Sequence, residues 1–150
     1  AIGQKQAQEE QGVLPQKTTD FKGKHILLAE DNELNSEIAT TLLEEQGASI
    51  TAVENGRLAL EAIQNAAPRT YDVILMDVMM PEMNGLEATR CIRAFEGKGP
   101  GEGTPIIAMT ANVFADDVKA CLDAGMNSHV GKPLDMKVLI GEILKYTDAR

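Results

Sequence analysis

Four short apolar runs, each ending on a polar residue, constrain this sequence more than anything else in it. Ile26-Leu27-Leu28-Ala29 leads into Glu30-Asp31, Val73-Ile74-Leu75-Met76 into Asp77, and Ile106-Ile107-Ala108-Met109 into Thr110. Ser128-His129-Val130-Gly131 leads, more weakly, into Lys132. Runs apolar along their whole length fit strands buried on both faces, as in a parallel sheet covered by helices. In such sheets the carboxyl ends of the strands line one crevice, where residues far apart in sequence meet. One pocket is therefore expected to gather Glu30, Asp31, Asp77, Thr110 and Lys132.

That set has a definite chemistry. Clustered carboxylates repel one another and are costly to keep ionised unless a cation neutralises them. Mg²⁺ suits oxygen ligands and keeps several waters, so a few carboxylates hold it without a full cage. A phosphoryl group in transfer spreads negative charge over its oxygens, and the protein mainly positions and neutralises it. Lys132 supplies a point positive charge and Thr110 a hydroxyl donor. A carboxylate can itself be the nucleophile, giving an aspartyl-phosphate. Asp77 is the best candidate: it ends the most apolar strand, with Pro81 and Gly85 shaping the loop beyond. Taken singly, each residue has a plainer role: Asp77 a cap or turn former, Glu30-Asp31 a helix-dipole partner, Lys132 a solvated lysine, Thr110 a strand residue. Their joint placement at strand ends favours the functional reading.

The periodicity predicts strands at 26–30, 49–53, 72–77, 105–110 and 128–131, and helices at 33–46, 56–66, 85–95, 113–124 and 135–146. Gly47 fits a helix terminator. Met136, Leu139, Ile140, Ile143 and Leu144 give the last helix an apolar stripe at helical spacing. Five strand–helix units imply an α/β, doubly wound (βα)5 fold with a five-stranded parallel sheet. Residues 1–22 are rich in Gln, Glu, Gly and Lys without apolar periodicity and read as linker or disordered tail, leaving 23–150 as the domain.

Composition removes several function classes. At 150 residues the chain is one domain able to build a full core. Net charge is −9 with a pI near 4.7, which argues against nucleic-acid binding. Lys5, Lys17 and Lys22 cancel Glu9, Glu10 and Asp20 in the first 22 residues, so the domain carries the acidity. Cys91 and Cys121 lie in separate predicted helices, outside any CxxC, and read as thiols in a reducing compartment. No apolar stretch has the length of a membrane span, and the amino terminus is not a signal peptide. Gly97-Lys98-Gly99-Pro100-Gly101-Glu102-Gly103-Thr104 spells neither GxGxxG nor GxxxxGK[ST] and leads into a strand, so it reads as a flexible connection.

At Glu30-Asp31-Asn32, Asp77 through Gly85 (Asp-Val-Met-Met-Pro-Glu-Met-Asn-Gly), Met109-Thr110-Ala111-Asn112 and Gly131-Lys132-Pro133 the chain resembles two-component response-regulator receiver domains, from about Lys24 to about Tyr146. That resemblance implies a flavodoxin-like sheet of order 2-1-3-4-5. It implies that Asp77 accepts phosphate from a phosphohistidine on a histidine kinase or histidine phosphotransfer domain. It implies Mg²⁺ held by Asp31, Asp77 and the Met79 main-chain carbonyl, with Glu30 acting through a bound water. Thr110 and Lys132 would contact the phosphoryl oxygens, and a phosphorylation-driven switch would follow. Such a domain promotes its own phosphorylation and dephosphorylation without being a conventional enzyme. The Leu-Leu-Ala-Glu-Asp-Asn-Glu-Leu-Asn opening and the Met-Thr-Ala-Asn block are most similar to receivers at the carboxyl end of hybrid sensor histidine kinases. A cytoplasmic segment excised from a longer parent, such as a membrane-anchored hybrid kinase, is the expectation for a chain that starts at Ala1 and ends a few residues after the last helix, with a stand-alone regulator carrying a disordered leader as the alternative.

His129 departs from the pattern, standing where receivers commonly carry Tyr or Phe as the switch aromatic. A histidine is smaller and more polar and titrates near neutrality. A switch role and a plain strand histidine both remain open. His25, the other histidine, falls at the far end of the first strand, which disfavours a metal role for either, and neither lies on a predicted helix as a phosphodonor would. Two other classes fit less well. A haloacid-dehalogenase-like phosphohydrolase typically carries an Asp-x-Asp pair, whereas Val78 and Met79 follow Asp77. A flavodoxin-like flavin carrier wants a hydroxyl- and Gly-rich first loop and stacking aromatics; this chain has Glu30-Asp31 there and no Trp.

Overall fold

The computed structural model describes residues 21–111 and 115–147. Five strands and five helices alternate: β1 (His25–Ala29), α1 (Glu33–Glu45), β2 (Ser49–Val53), α2 (Gly56–Gln64), β3 (Val73–Asp77), α3 (Gly85–Glu96), β4 (Ile106–Thr110), α4 (Ala115–Ala124), β5 (Ser128–Gly131) and α5 (Met136–Thr147). All strand pairs are parallel and the order is β2-β1-β3-β4-β5. This is the (βα)5 arrangement expected from the sequence. Observed and expected boundaries differ by two residues or fewer, except that the expected α4 start at 113 lies outside the described residues.

The all-apolar strands follow from covering the sheet on both sides. Side chains alternate along each strand, so one set (Ile26, Leu28, Val73, Leu75, Ile107, Met109) packs with Ala39 and Leu43 of α1 and Leu139 and Ile143 of α5. The other set (Leu27, Ala29, Ile74, Met76, Ile106, Ala108) packs with Ala59 and Ile63 of α2, Ala88 and Ile92 of α3, and Cys121 of α4. Edge strand β2 has no fully buried residue, which is why its sequence, Ser-Ile-Thr-Ala-Val, is the most polar after β5.

Asparagines start three of the helices that leave the sheet's carboxyl edge, α1, α2 and α3. The Asn32, Asn55 and Asn84 side chains accept from the backbone N–H groups of Asn35, Leu58 and Glu87 at 2.9, 2.8 and 2.9 Å, and Glu87 completes a capping box at α3. Such caps let each strand hand over to its helix within a short turn, which keeps the strand-end side chains close together. At the other end of the helices, Gly47 and Gly97 adopt positive φ, at 103° and 67°, and end α1 and α3.

Two features correct the sequence reading. The expected tail over 1–20 lies outside the described residues, but Phe21, assigned to it, is fully buried and its N–H donates to the Gln46 carbonyl. Phe21 thus packs with the domain, although the expected boundary at 23 leaves it in the tail. The Gly-rich connection is also pinned. Arg93, buried on α3, donates to the Thr104 and Gly125 carbonyls, the Asn127 side chain and Glu96, while Glu96 accepts from the Thr104 hydroxyl and Asn127 donates to the Pro100 carbonyl. Among the described residues no helix is long and apolar enough to cross a membrane.

Candidate functional site

β1 and β3 are neighbours at the centre of the sheet, so Glu30 and Asp77 come together at their carboxyl ends. Both are buried, each 4% exposed, whereas Asp31 is exposed. One carboxylate oxygen from each of Glu30, Asp31 and Asp77 lies within 4.8 Å of the others. The Lys132 Nζ sits between two of them, 2.9 Å from Glu30 Oε1 and 3.0 Å from Asp77 Oδ2. Lys132 reaches that position because β5 runs beside β4: its backbone N–H donates to the Thr110 carbonyl at 2.8 Å. Thr110 ends β4 as a buried residue opposite Gly131.

Backbone groups complete the frame. Glu30 Oε2 accepts from the Asn32 N–H at 3.1 Å, and Asp77 Oδ1 from the Met79 N–H at 3.3 Å. The turn after Asp77 closes tightly, with the Gly85 N–H donating to the Val78 carbonyl at 3.0 Å. A Cβ at Gly85 would collide with the Asp77 main-chain oxygen, so the glycine permits that close approach. The same turn is tied to α2: the Gly56 N–H donates to the Met83 carbonyl, and Arg57 pairs with Glu82, which holds a positive φ of 66°.

Charge in this pocket does not balance. Three carboxylates face one ammonium, leaving two negative charges over. Burial, above all, raises the Asp77 pKa to about 6; the Lys132 hydrogen bond pulls it down and the Glu30 carboxylate pushes it up further. Burial also opposes the charged form of Lys132, but Glu30 and Asp77 outweigh it and hold the ammonium above the ordinary lysine range. Such a donor set, all hard oxygens with two negative charges in excess, fits a divalent cation.

Of the five strand-end residues singled out from the sequence, Glu30, Asp31, Asp77 and Lys132 come together here, and Thr110 ends the neighbouring strand with its carbonyl bonded to the Lys132 N–H. Met79, expected to contribute only its carbonyl, has a side chain 76% exposed. His129 lies on β5 opposite Ala108, partly buried. Paired residues in a parallel sheet face the same way, so His129 shares the α3–α4 face with Ala108 and Thr110. His25 is remote from the pocket, its ring bonded to the Thr51 hydroxyl at 2.7 Å and resting on Tyr71. Sequence reasoning missed Asn32, Asn55 and the Arg57–Glu82 pair. The asparagine caps had a signal, an Asn just before each helical pattern, while a pair spanning 25 residues had none.

The raised Asp77 pKa has a consequence for the metal-free protein. Between the ordinary carboxylate value and about 6, the folded state binds more protons at Asp77 than the unfolded state, so this group's contribution to stability falls as pH rises through that window. Asp77→Asn removes the penalty. We expect the variant to exceed wild type in stability by about 1 kcal/mol at about pH 7, with the difference shrinking toward about pH 4.5. Denaturant unfolding at the two pH values checks this, and a variant less stable at the higher pH would refute it.

Comparisons with known proteins agree with this geometry. The family model for the response regulator receiver domain matches residues 26–144. Sensor histidine kinase GacS of Pseudomonas protegens is 38% identical over 133 residues, covering 89% of this chain and 14% of the kinase; the chain thus spans a small part of that relative. The crystal structure of the receiver domain of sensor histidine kinase PA1611 from Pseudomonas aeruginosa, with a magnesium ion coordinated in its active-site cleft, superposes with a TM-score of 0.73 at 36% identity, over 84% of this chain and 98% of that one. The receiver domain of the Saccharomyces cerevisiae response regulator Ssk1, crystallised with the histidine phosphotransfer protein Ypd1, is in a structure that matches at a TM-score of 0.75 and 26% identity, over 83% of this chain and 89% of that one. With the sheet order, the strand-end carboxylates and the lysine between them already in place, the match over most of its length shows that this chain belongs to the response-regulator receiver domain family of two-component phosphorelays.

Proposed function

We propose that Asp77 is the phosphoacceptor, taking a phosphoryl group from a phosphohistidine on a histidine kinase or a histidine phosphotransfer domain. The observation that carries this is Lys132 bridging Glu30 and Asp77 at 2.9 and 3.0 Å, a cation held against the nucleophile. In the transfer an ionised Asp77 oxygen forms the new P–O bond as the P–N bond breaks and its electron pair returns to the imidazole. Lys132 then meets the phosphoryl oxygens in place of the bare carboxylate, and the Thr110 hydroxyl donates to them from the end of β4. Glu30, Asp31, Asp77 and the Met79 main-chain carbonyl would hold Mg²⁺, which when bound offsets charge on the transferring phosphoryl group.

The donor's route is supported by the surface beside α1. A cavity of about 500 Å³ runs from Glu30 and Lys132 along Ile38, Leu42, Leu134 and Met136. Ile38 exposes apolar surface in its lining, and Leu34, one turn earlier on α1, is exposed as well, as suits a protein partner. The Ssk1 receiver, crystallised with a phosphotransfer protein, supports a donor of that kind here. The histidine kinase relatives support a place for the domain within a hybrid sensor kinase.

Output would pass through Thr110 and His129. Drawing the Thr110 hydroxyl toward a phosphorylated Asp77 shifts the end of β4, and His129 on the same face of β5 can respond. A histidine is smaller and more polar than the usual aromatic, so the switch is weaker or more pH-dependent than in Tyr-bearing receivers.

With Mg²⁺ and acetyl phosphate, the intact mass of the wild type should rise by one phosphoryl group, and that of Asp77→Asn should not. Labelling that persists in a folded Asp77→Asn would overturn the assignment. For the switch, amide NMR shifts with a beryllofluoride mimic should reach α4 and β5, by amounts that change between two pH values; changes confined to the phosphate pocket would exclude it.

A further inference from the structure

The edge of the sheet opposite Asp77, where β3 and β4 begin, holds a separate cavity. About 330 Å³ opens between the end of α2, the turn into β3, the end of α3 and the Gly-rich connection. That volume falls at the small end of the range for small-molecule sites, roughly 300–1,000 Å³. Ile63, Ala66, Tyr71 and Phe95 give it an apolar body, and Phe95 is left 53% exposed. Arg69 and Lys98, both exposed, are its cations. A five-residue strand separates the cavity from Asp77, roughly 16 Å at the usual rise, so it is no part of the phosphoryl pocket.

The charges here leave a positive remainder. Glu96 also lines the cavity, but it is paired with Arg93 at 3.0 Å and accepts from the Thr104 hydroxyl, so its charge is met. Glu102 then stands alone against Arg69 and Lys98, and no ion pair joins any of these three to another described residue. The backbone supplies an independent observation. Ala67-Pro68-Arg69-Thr70 closes a turn in which the Thr70 N–H and hydroxyl donate to the Ala67 carbonyl at 3.2 and 2.6 Å. Arg69 is the third residue of that turn and has a φ of 66°, where a type II turn favours Gly or Asn. An arginine is strained in this conformation by its own Cβ, and strain of this kind concentrates at ligand clamps.

We propose that this cavity binds a small planar monoanion of the aromatic carboxylate class, its ring against Tyr71 and Phe95 and its carboxylate met by Arg69 and Lys98. Amide NMR of the full chain, titrated with naphthoate, naphthylmethanol and acetate, separates the ring from the charge. Naphthoate should give saturable shifts at Thr70, Tyr71, Phe95 and Gly103. The neutral naphthylmethanol should bind about threefold or more weakly, and acetate at the same concentration should shift none of them. Arg69→Asn removes the cation and suits the left-handed backbone, so its Tm should hold while naphthoate affinity falls about threefold and naphthylmethanol affinity does not change. Ala66→Leu, which fills the hollow, should weaken both aromatic probes. Shifts that do not saturate, shifts centred away from the cavity, or equal losses for the charged and neutral probes in Arg69→Asn would overturn the proposal. A lower Tm for Arg69→Asn with unchanged naphthoate affinity would assign the arginine to the fold and overturn it as well.

Discussion

Two carboxylates buried side by side repel each other, and in this chain one ammonium makes the arrangement tolerable. Lys132 lies within 3.0 Å of both Glu30 and Asp77, and the three groups come from the ends of three different strands. Everything that sets their distance is therefore part of the site: the β1–β3 pairing, the hydrogen bond from the Lys132 N–H to Thr110 and the compact turn after Asp77. The ammonium is not sufficient, since Asp31 leaves the pocket with an excess of negative charge. That residual repulsion makes a site tense when empty and receptive to a divalent cation and then to a phosphoryl group.

The fold delivers this tension to one edge. A parallel sheet covered on both faces keeps its central strands wholly apolar, so their polar chemistry is confined to the carboxyl ends. Asparagine caps start α1, α2 and α3 immediately after the turns, and the two flanks of α1 differ in character. One flank is an apolar cavity beside Lys132, suited to a protein surface; the other is a groove whose lining includes Glu33 and Glu54.

Most of this was legible because the strands are buried on both sides and so carry an unbroken apolar signature that stops abruptly at Glu30, Asp77 and Thr110. β5 was the weakest strand to read, since Ser128 and His129 interrupt it at a partly covered edge. Phe21 was missed because a single aromatic between Asp20 and Lys22 has no periodicity, although it fills the space over the end of α1. Arg93 looked like an ordinary cation near a helix end, and its four acceptors come from segments up to 34 residues away. The Lys132 bridge could be expected as proximity but not as paired hydrogen-bond distances, which depend on the backbone register of β4 and β5.

The uncompensated acids at the strand ends suit a divalent cation. Melting curves of wild type and Asp31→Ala, each with and without Mg²⁺, test it most directly. Removing one of three crowded carboxylates relieves repulsion, so the metal-free variant should be at least as stable as wild type, while Mg²⁺ should raise the Tm of wild type clearly and that of the variant much less. Equal metal-induced stabilisation of the two proteins, or none in wild type, would contradict the account.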